Sequence, residues 1–118
     1  MESPTVDAVE FRDGQRQQWN KGAEGWRKRS DLIDAATGHV SKRMVELAGV
    51  EPGSRVIDVA AGYGEPSLTA AAVAGAEGKV VATDISPEML AYGRERAAAA
   101  GLENVEFVES EAAGLDFP

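Results

Sequence analysis

The feature that most limits what this chain can fold into is the run VIDVAAGYGEP at residues 56–66. A β-branched stretch, Arg55-Val56-Ile57-Asp58-Val59, ends in a turn carrying Gly62 and Gly64, and Pro66 then opens an alanine-rich helical segment to about Ala74. A strand that passes through glycines straight into a helix presents backbone N–H groups and a helix N-terminus at its carboxyl edge, where a ligand can approach bare backbone. The pattern then repeats. Lys79-Val80-Val81-Ala82-Thr83 reads as a second strand, and Ser86 and Pro87 as the cap and first residue of a helix reaching Ala100. Gly101 stands where a helix end needs positive φ, and Asn104-Val105-Glu106-Phe107-Val108 reads as a third strand. The order β-α-β-α-β predicts parallel strands joined by right-handed crossovers, with helices on both faces of the sheet.

A helical preface precedes this unit. From about Val6 to Gly49 apolar residues recur at helical spacing, among them Phe11, Trp19, Trp26, Leu32, Ile33 and Ala48. Val40, Met44 and Leu47 fall at i, i+4 and i+7 and predict one apolar stripe, while Gly49 and Glu51-Pro52-Gly53 supply a stop and a turn. The predicted organisation is a helical lead-in or lid over residues 1–50 and a ligand-binding βαβαβ unit over residues 51–118.

A chain of 118 residues buries roughly two-thirds of its unfolded surface, enough for one core and not for two. The absence of cysteine excludes a disulfide framework, thiolate metal sites and a cysteine nucleophile. The start, MESPTVDAVEF, lacks a basic flank before an apolar run, and no 18-residue apolar stretch occurs, so neither a signal peptide nor a membrane span is expected and the cytoplasm is the default compartment. The net charge is −8, yet residues 1–50 balance eight acids with eight bases. The whole excess belongs to the second part, the wrong sign for a surface that tracks phosphates. Arg27-Lys28-Arg29, interleaved with acids, reads as a solvated helix face, so no nucleic-acid partner is expected.

The chemistry gathers at the strand ends. Asp58 lies just before the glycine turn, an awkward neighbour for a pyrophosphate and a good one for a cation. A dinucleotide fingerprint requires G-x-G-x-x-G, and here the third position after Gly64 is Ser67. Asp84 stands at the end of the second strand, 20 residues past Gly64, where a carboxylate can accept both ribose hydroxyls. Glu111 follows the third strand and can accept from a base amino group. Three acids in one line suit an elongated ligand bearing an ammonium, a ribose and an aminopurine. Plainer readings stand beside this one: the glycines merely turn the chain, Asp58 is a capping acid, and Tyr63, Trp19 and Trp26 pack in a core or interface rather than line or lid a pocket. Met89 reads as core partly touching a base. His39 reads as a surface residue, since nothing nearby in sequence orients it as a general base.

These residues resemble the class I S-adenosylmethionine-dependent methyltransferases, especially the ubiquinone and menaquinone biosynthesis branch. The resemblance is close over residues 55–118 and looser around Trp19 and Trp26. The family's first motif is an acid followed by three alternating glycines; Asp58, Gly62 and Gly64 match it, and Ala60 replaces the first glycine. Asp84-Ile85-Ser86-Pro87-Glu88-Met89-Leu90 resembles the second motif, and Glu111 stands where the third has Asp. The resemblance implies an α/β, three-layer Rossmann-like half fold, with parallel strands in the order 3-2-1 and flanking helices after the helical segment. It implies S-adenosyl-L-methionine as cofactor and S-adenosylhomocysteine as product. It places Asp58 near the methionine end, with Ala60, Gly62, Tyr63 and Gly64 as the cradle. Asp84 falls on the ribose, Ile85 and Met89 against adenine, and Glu111 with Ala112 at the adenine edge.

Such a domain continues through four more strands, whereas this chain stops at Leu115-Asp116-Phe117-Pro118, so half a fold is expected. Without a fourth strand, Val56, Ile57 and Val59 form an unprotected edge, and a homodimer through that edge is the simplest cover. A small-molecule acceptor is expected if the chain is active, and no catalytic residue or metal ligand is assigned. Two further readings stay open: a non-catalytic dimeric module, and a fragment of a nicotinamide-dependent oxidoreductase.

Overall fold

The computed structural model describes residues 7–115. A single helix, α1 (Ala8–Leu47), takes up the described preface between its Asp7 and Ala48 caps. Asp7 caps it, accepting the N–H groups of Val9 at 2.9 Å and Glu10 at 3.1 Å. A helix of 40 residues is about 60 Å long at 1.5 Å per residue, comparable with the 55 Å long dimension of the molecule. The stop falls as expected: Ala48 caps the end and Gly49 takes φ +73°.

Strands β1 (Arg55–Val59), β2 (Lys79–Asp84) and β3 (Val105–Glu109) form one parallel sheet in the order β1-β2-β3, with α2 (Ser67–Ala74) and α3 (Pro87–Ala99) as the crossovers. Val56 pairs with Val80 and Val80 with Val105; Ala82 pairs with Phe107. These partners share one face, and against them pack Leu68, Ala70 and Ala71 of α2 with Leu90 and Ala97 of α3. Small residues bring the layers close. A Cβ on Gly93 of α3 would meet the Phe107 ring at 2.7 Å, so the helix can lie this near the sheet only because the position is glycine.

The expectation of helices on both faces is corrected here. Strands laid down in one direction with right-handed crossovers put both connecting helices on the same side. α1 packs on α2 and α3, so the three layers run sheet, α2 with α3, then α1. The other face carries Ile57, 46% exposed, and Val59, 42% exposed, on the edge strand, beside half-buried Val81 and Val108. Among the described residues no helix covers it.

A second correction concerns the stripe on α1. Val40, Met44 and Leu47 face solvent, Leu47 with 70% exposure, and the docked face is instead Ala23, Ser30, Ser41 and Val45, the last only 5% exposed. Small side chains let α1 lie close on α2 and α3, and the apolar spacing does not say which of two possible faces docks.

Candidate functional site

The turn after β1 is built from left-handed backbone. Ala60, Gly62 and Gly64 take φ of 59°, 58° and 111°. Three of its amides are not bare, contrary to the sequence-based expectation. Gly62 N–H donates to Asp84 Oδ2 at 2.9 Å, Gly64 N–H to the Ala61 carbonyl at 3.0 Å, and Ala61 N–H to the Thr83 carbonyl at 2.8 Å. The second Asp84 oxygen, Oδ1, accepts Ser86 N–H at 2.9 Å, so one buried carboxylate joins the turns that follow β1 and β2. Ser86 caps α3 as expected, accepting Met89 N–H through its hydroxyl at 3.2 Å.

A cavity of about 530 Å³ opens over these turns. Eight of the ten predicted residues line it: Ala60, Gly62, Tyr63, Asp84, Ile85, Met89, Glu111 and Ala112. Asp58 and Gly64 do not, and each has a physical reason. Asp58 points to the helix-covered side of β1, where its carboxylate accepts the Ser67 hydroxyl at 2.5 Å at the start of α2. Pro66 offers α2 no side-chain cap, and a carboxylate at a helix N-terminus is favourable. Burial raises the Asp58 carboxyl above the ordinary value of 3.8, the Ser67 hydrogen bonds oppose this, and the Asp84 charge adds to it. Gly64 is buried in the turn, and a Cβ there would lie 3.4 Å from Leu68 Cγ.

Residues that sequence reasoning did not assign complete the wall: Arg12, Ala61, Glu65, Ser110 and Ala113, with Trp19 and Trp26 from α1. The tryptophans, seven apart on one helix, were legible as lid candidates; their rings lie 6.3 Å apart, and Trp26 is 5.9 Å from the Tyr63 ring. Arg12 carried no local signal. It forms an ion pair with Glu111, while Arg16 Nε donates to the Ile85 carbonyl at 3.2 Å and Ser86 hydrogen-bonds Asn20. The amino-terminal half of α1 is thereby strapped across the carboxyl ends of β2 and β3.

The charged groups on the wall are Asp84, Glu111 and Glu65 against Arg12, with Asp58 behind it, so the cavity favours a cation. His39 is exposed on α1, as expected. Arg27 pairs with Glu95 at 2.6 Å on the outer surface, in keeping with a solvated helix face. A wider opening of about 880 Å³ lies near the start of β2 and β3, walled mainly by alanines, glycines and the Lys79–Glu106 pair; none of the predicted residues lines it. Among the described residues no cluster of metal-ligating side chains occurs, and no helix is long and apolar enough to cross a membrane.

Three parallel strands in the order β1-β2-β3, with a glycine turn after β1, have the architecture of a SAM-dependent methyltransferase-like domain. The chain belongs to the ubiE/COQ5 methyltransferase family, whose sequence profile matches residues 23–118. It is 40% identical over 91 residues to the ubiquinone/menaquinone biosynthesis C-methyltransferase UbiE of Ectopseudomonas mendocina, covering 75% of this chain and 36% of that one. Thus the chain spans about a third of that relative's length. A SAM-dependent methyltransferase from Aquifex aeolicus superposes with a TM-score of 0.60 at 32% identity, over 66% of this chain and 42% of its own. An RNA methyltransferase from Salinibacter ruber in complex with S-adenosyl-L-homocysteine does so with a TM-score of 0.60 at 31% identity, over 65% of this chain and 50% of its own.

Proposed function

We propose that the chain is the S-adenosylmethionine-binding portion of a small-molecule methyltransferase. The observation that carries this reading is the convergence of eight predicted residues on one cavity of about 530 Å³, with Asp84 and Glu111 along its rim. The donor set fits the cofactor. Asp84 holds the ribose while keeping Gly62 in place, Ile85 and Met89 pack on adenine, and Glu111 with Ala112 meets the adenine edge. Gly62 leaves room, since a Cβ there would sit 3.4 Å from Met89 Cε. Asp58 acts from behind the wall, favouring the cationic end by charge rather than by contact. When bound, the cofactor supplies an activated methyl group for in-line displacement. The chain's share of that chemistry is orientation and exclusion of water, which need no catalytic base. Trp19 and Trp26 act as the lid. Titration calorimetry with S-adenosylhomocysteine tests the reading: saturable heat is expected from this chain and not from Asp84→Ala, and no heat from the unaltered chain rejects it.

The open β1 edge favours a further element of the proposal, a homodimer through Ile57 and Val59. Closed two-fold symmetry pairs an edge with itself, satisfies its free backbone groups and brings the Ile57 and Val59 side chains of the two copies beside one another. We propose a cytoplasmic setting and a small-molecule acceptor with it. The non-catalytic alternative shares the dimer and lacks the heat of binding.

A further inference from the structure

The turn over β1 holds three left-handed residues within five positions, one of them alanine, and its shape depends on groups outside it. Asp84 fixes the Ala61–Gly62 peptide through the Gly62 N–H. The Tyr63–Gly64 peptide is held at both ends: its N–H donates to Ala61, and its carbonyl, that of Tyr63, accepts Arg96 Nη1 at 3.2 Å. The same guanidinium lies over the Tyr63 ring, 4.5 Å from its centroid, and forms an ion pair with Asp34 through Nη2. Asp34 Oδ1 in turn accepts the Tyr63 hydroxyl at 3.2 Å. Tyr63 is therefore gripped by backbone, ring and hydroxyl at once, by one residue of α1 and one of α3. Trp26, with ring centroids 5.9 Å apart, and Tyr92, near-parallel at 6.1 Å, are its aromatic neighbours.

Neither Asp34 nor Arg96 lines the cavity. We propose that they are positioning residues, which hold the Gly62-Tyr63-Gly64 turn in the shape that receives the cofactor and make that shape conditional on the docking of α1. This inference rests on the function proposed above. Arginine suits the task because its planar fork reaches two acceptors while its face lies on a ring; a lysine ammonium, a compact point charge, keeps the ion pair with Asp34 and cannot reach the Tyr63 carbonyl and the ring at the same time.

The test measures S-adenosylhomocysteine affinity by calorimetry, and urea unfolding midpoints, for the unaltered chain, Arg96→Lys, Asp34→Asn and the control Arg94→Lys. Arg94 is a fair control, since it makes the same kind of contacts two residues away, donating to the Phe107 carbonyl at 3.0 Å and lying over the Phe107 ring. Arg96→Lys and Asp34→Asn are expected to weaken binding about tenfold or more in folded protein, the scale of one lost charge-assisted hydrogen bond, while Arg94→Lys binds as the unaltered chain does. Unimpaired binding by both turn variants overturns the inference alone, and so does an equal loss in Arg94→Lys, which would mean general softening of α3. If Arg96→Lys does not fold, Asp34→Asn carries the comparison. No binding by the unaltered chain instead rejects the proposed function and takes this inference with it.

Discussion

Asp84, at the end of β2, accepts the Gly62 N–H of the turn after β1 at 2.9 Å, so a side chain expected to hold a ligand also holds the backbone beside it. With its other oxygen on Ser86, the carboxylate has no slack. Asp84→Asn keeps the size but turns an amide N–H toward one of two backbone donors. A buried donor left without a partner costs about 1–3 kcal/mol. Asp84→Asn is expected to lower the unfolding free energy read from urea denaturation by that order and to abolish the calorimetric signal with S-adenosylhomocysteine; a stable variant that still binds contradicts the dual role.

Ala60 stands at φ 59°, where an L side chain is strained. A left-handed non-glycine residue costs roughly 1–2 kcal/mol, and part of that is recovered by glycine despite its looser unfolded chain. Ala60→Gly is therefore expected to stabilise the protein by about 1 kcal/mol in chemical denaturation. An unchanged or lower midpoint argues against strain at this position.

Asp58 predicts a pH dependence of unusual sign for a carboxylate. Burial raises its value in the folded state above the ordinary 3.8, so between those two values the native chain binds the proton more firmly than the unfolded one. Its contribution is then greatest at low pH and is lost as pH rises through the folded value. Other acids add their own slopes, and the comparison with Asp58→Asn isolates this one. The stability of the unaltered chain minus that of Asp58→Asn is expected to fall as pH rises from about 4 toward neutrality. A flat difference refutes it.

Arg12 and Glu111 form an ion pair with both side chains about a third exposed, a contact of roughly 0–1 kcal/mol. Arg12→Ala should hardly move the unfolding midpoint. In the proposed function, however, the guanidinium occupies the carboxylate that meets adenine and has to be displaced from it. S-adenosylhomocysteine is expected to bind Arg12→Ala a few-fold more tightly and Glu111→Gln more weakly; weaker binding by Arg12→Ala makes Arg12 a ligand contact instead.

Ile57 and Val59 protrude from an unpaired strand edge. A lysine on such an edge discourages pairing with a second copy. Light scattering is expected to give a dimer mass for the unaltered chain and a monomer mass for Ile57→Lys. A monomeric unaltered chain removes the dimer from the proposal.

The parts of this fold legible beforehand are those governed by local chemistry. Ser86 caps α3, Gly101 ends it at φ +70°, and the glycine turn sits between β1 and α2 because each conformation is dictated within a few residues. Asp84 and Glu111 were legible for the same reason, since strand ends place them. What was not legible is what depends on docking. Val45 and Met44 are adjacent and equally apolar, and only packing on α2 decides that Val45 goes inside. Arg12 meets Glu111 across 99 positions, Arg96 meets Asp34 across 62, and no local pattern announces either pair. Asp58 lies off the cavity wall because its carboxylate turns to the start of α2, where it accepts the Ser67 hydroxyl.

That one-sidedness has a consequence for how such a protein can diversify. In the proposed function, nucleoside recognition falls at the tips of the strands, and the bare flank stays clear of it. Substitutions at Ile57, Val59 or Val108 can recruit a new neighbour without redrawing the pocket, and the two halves of the molecule's surface can evolve as separable modules.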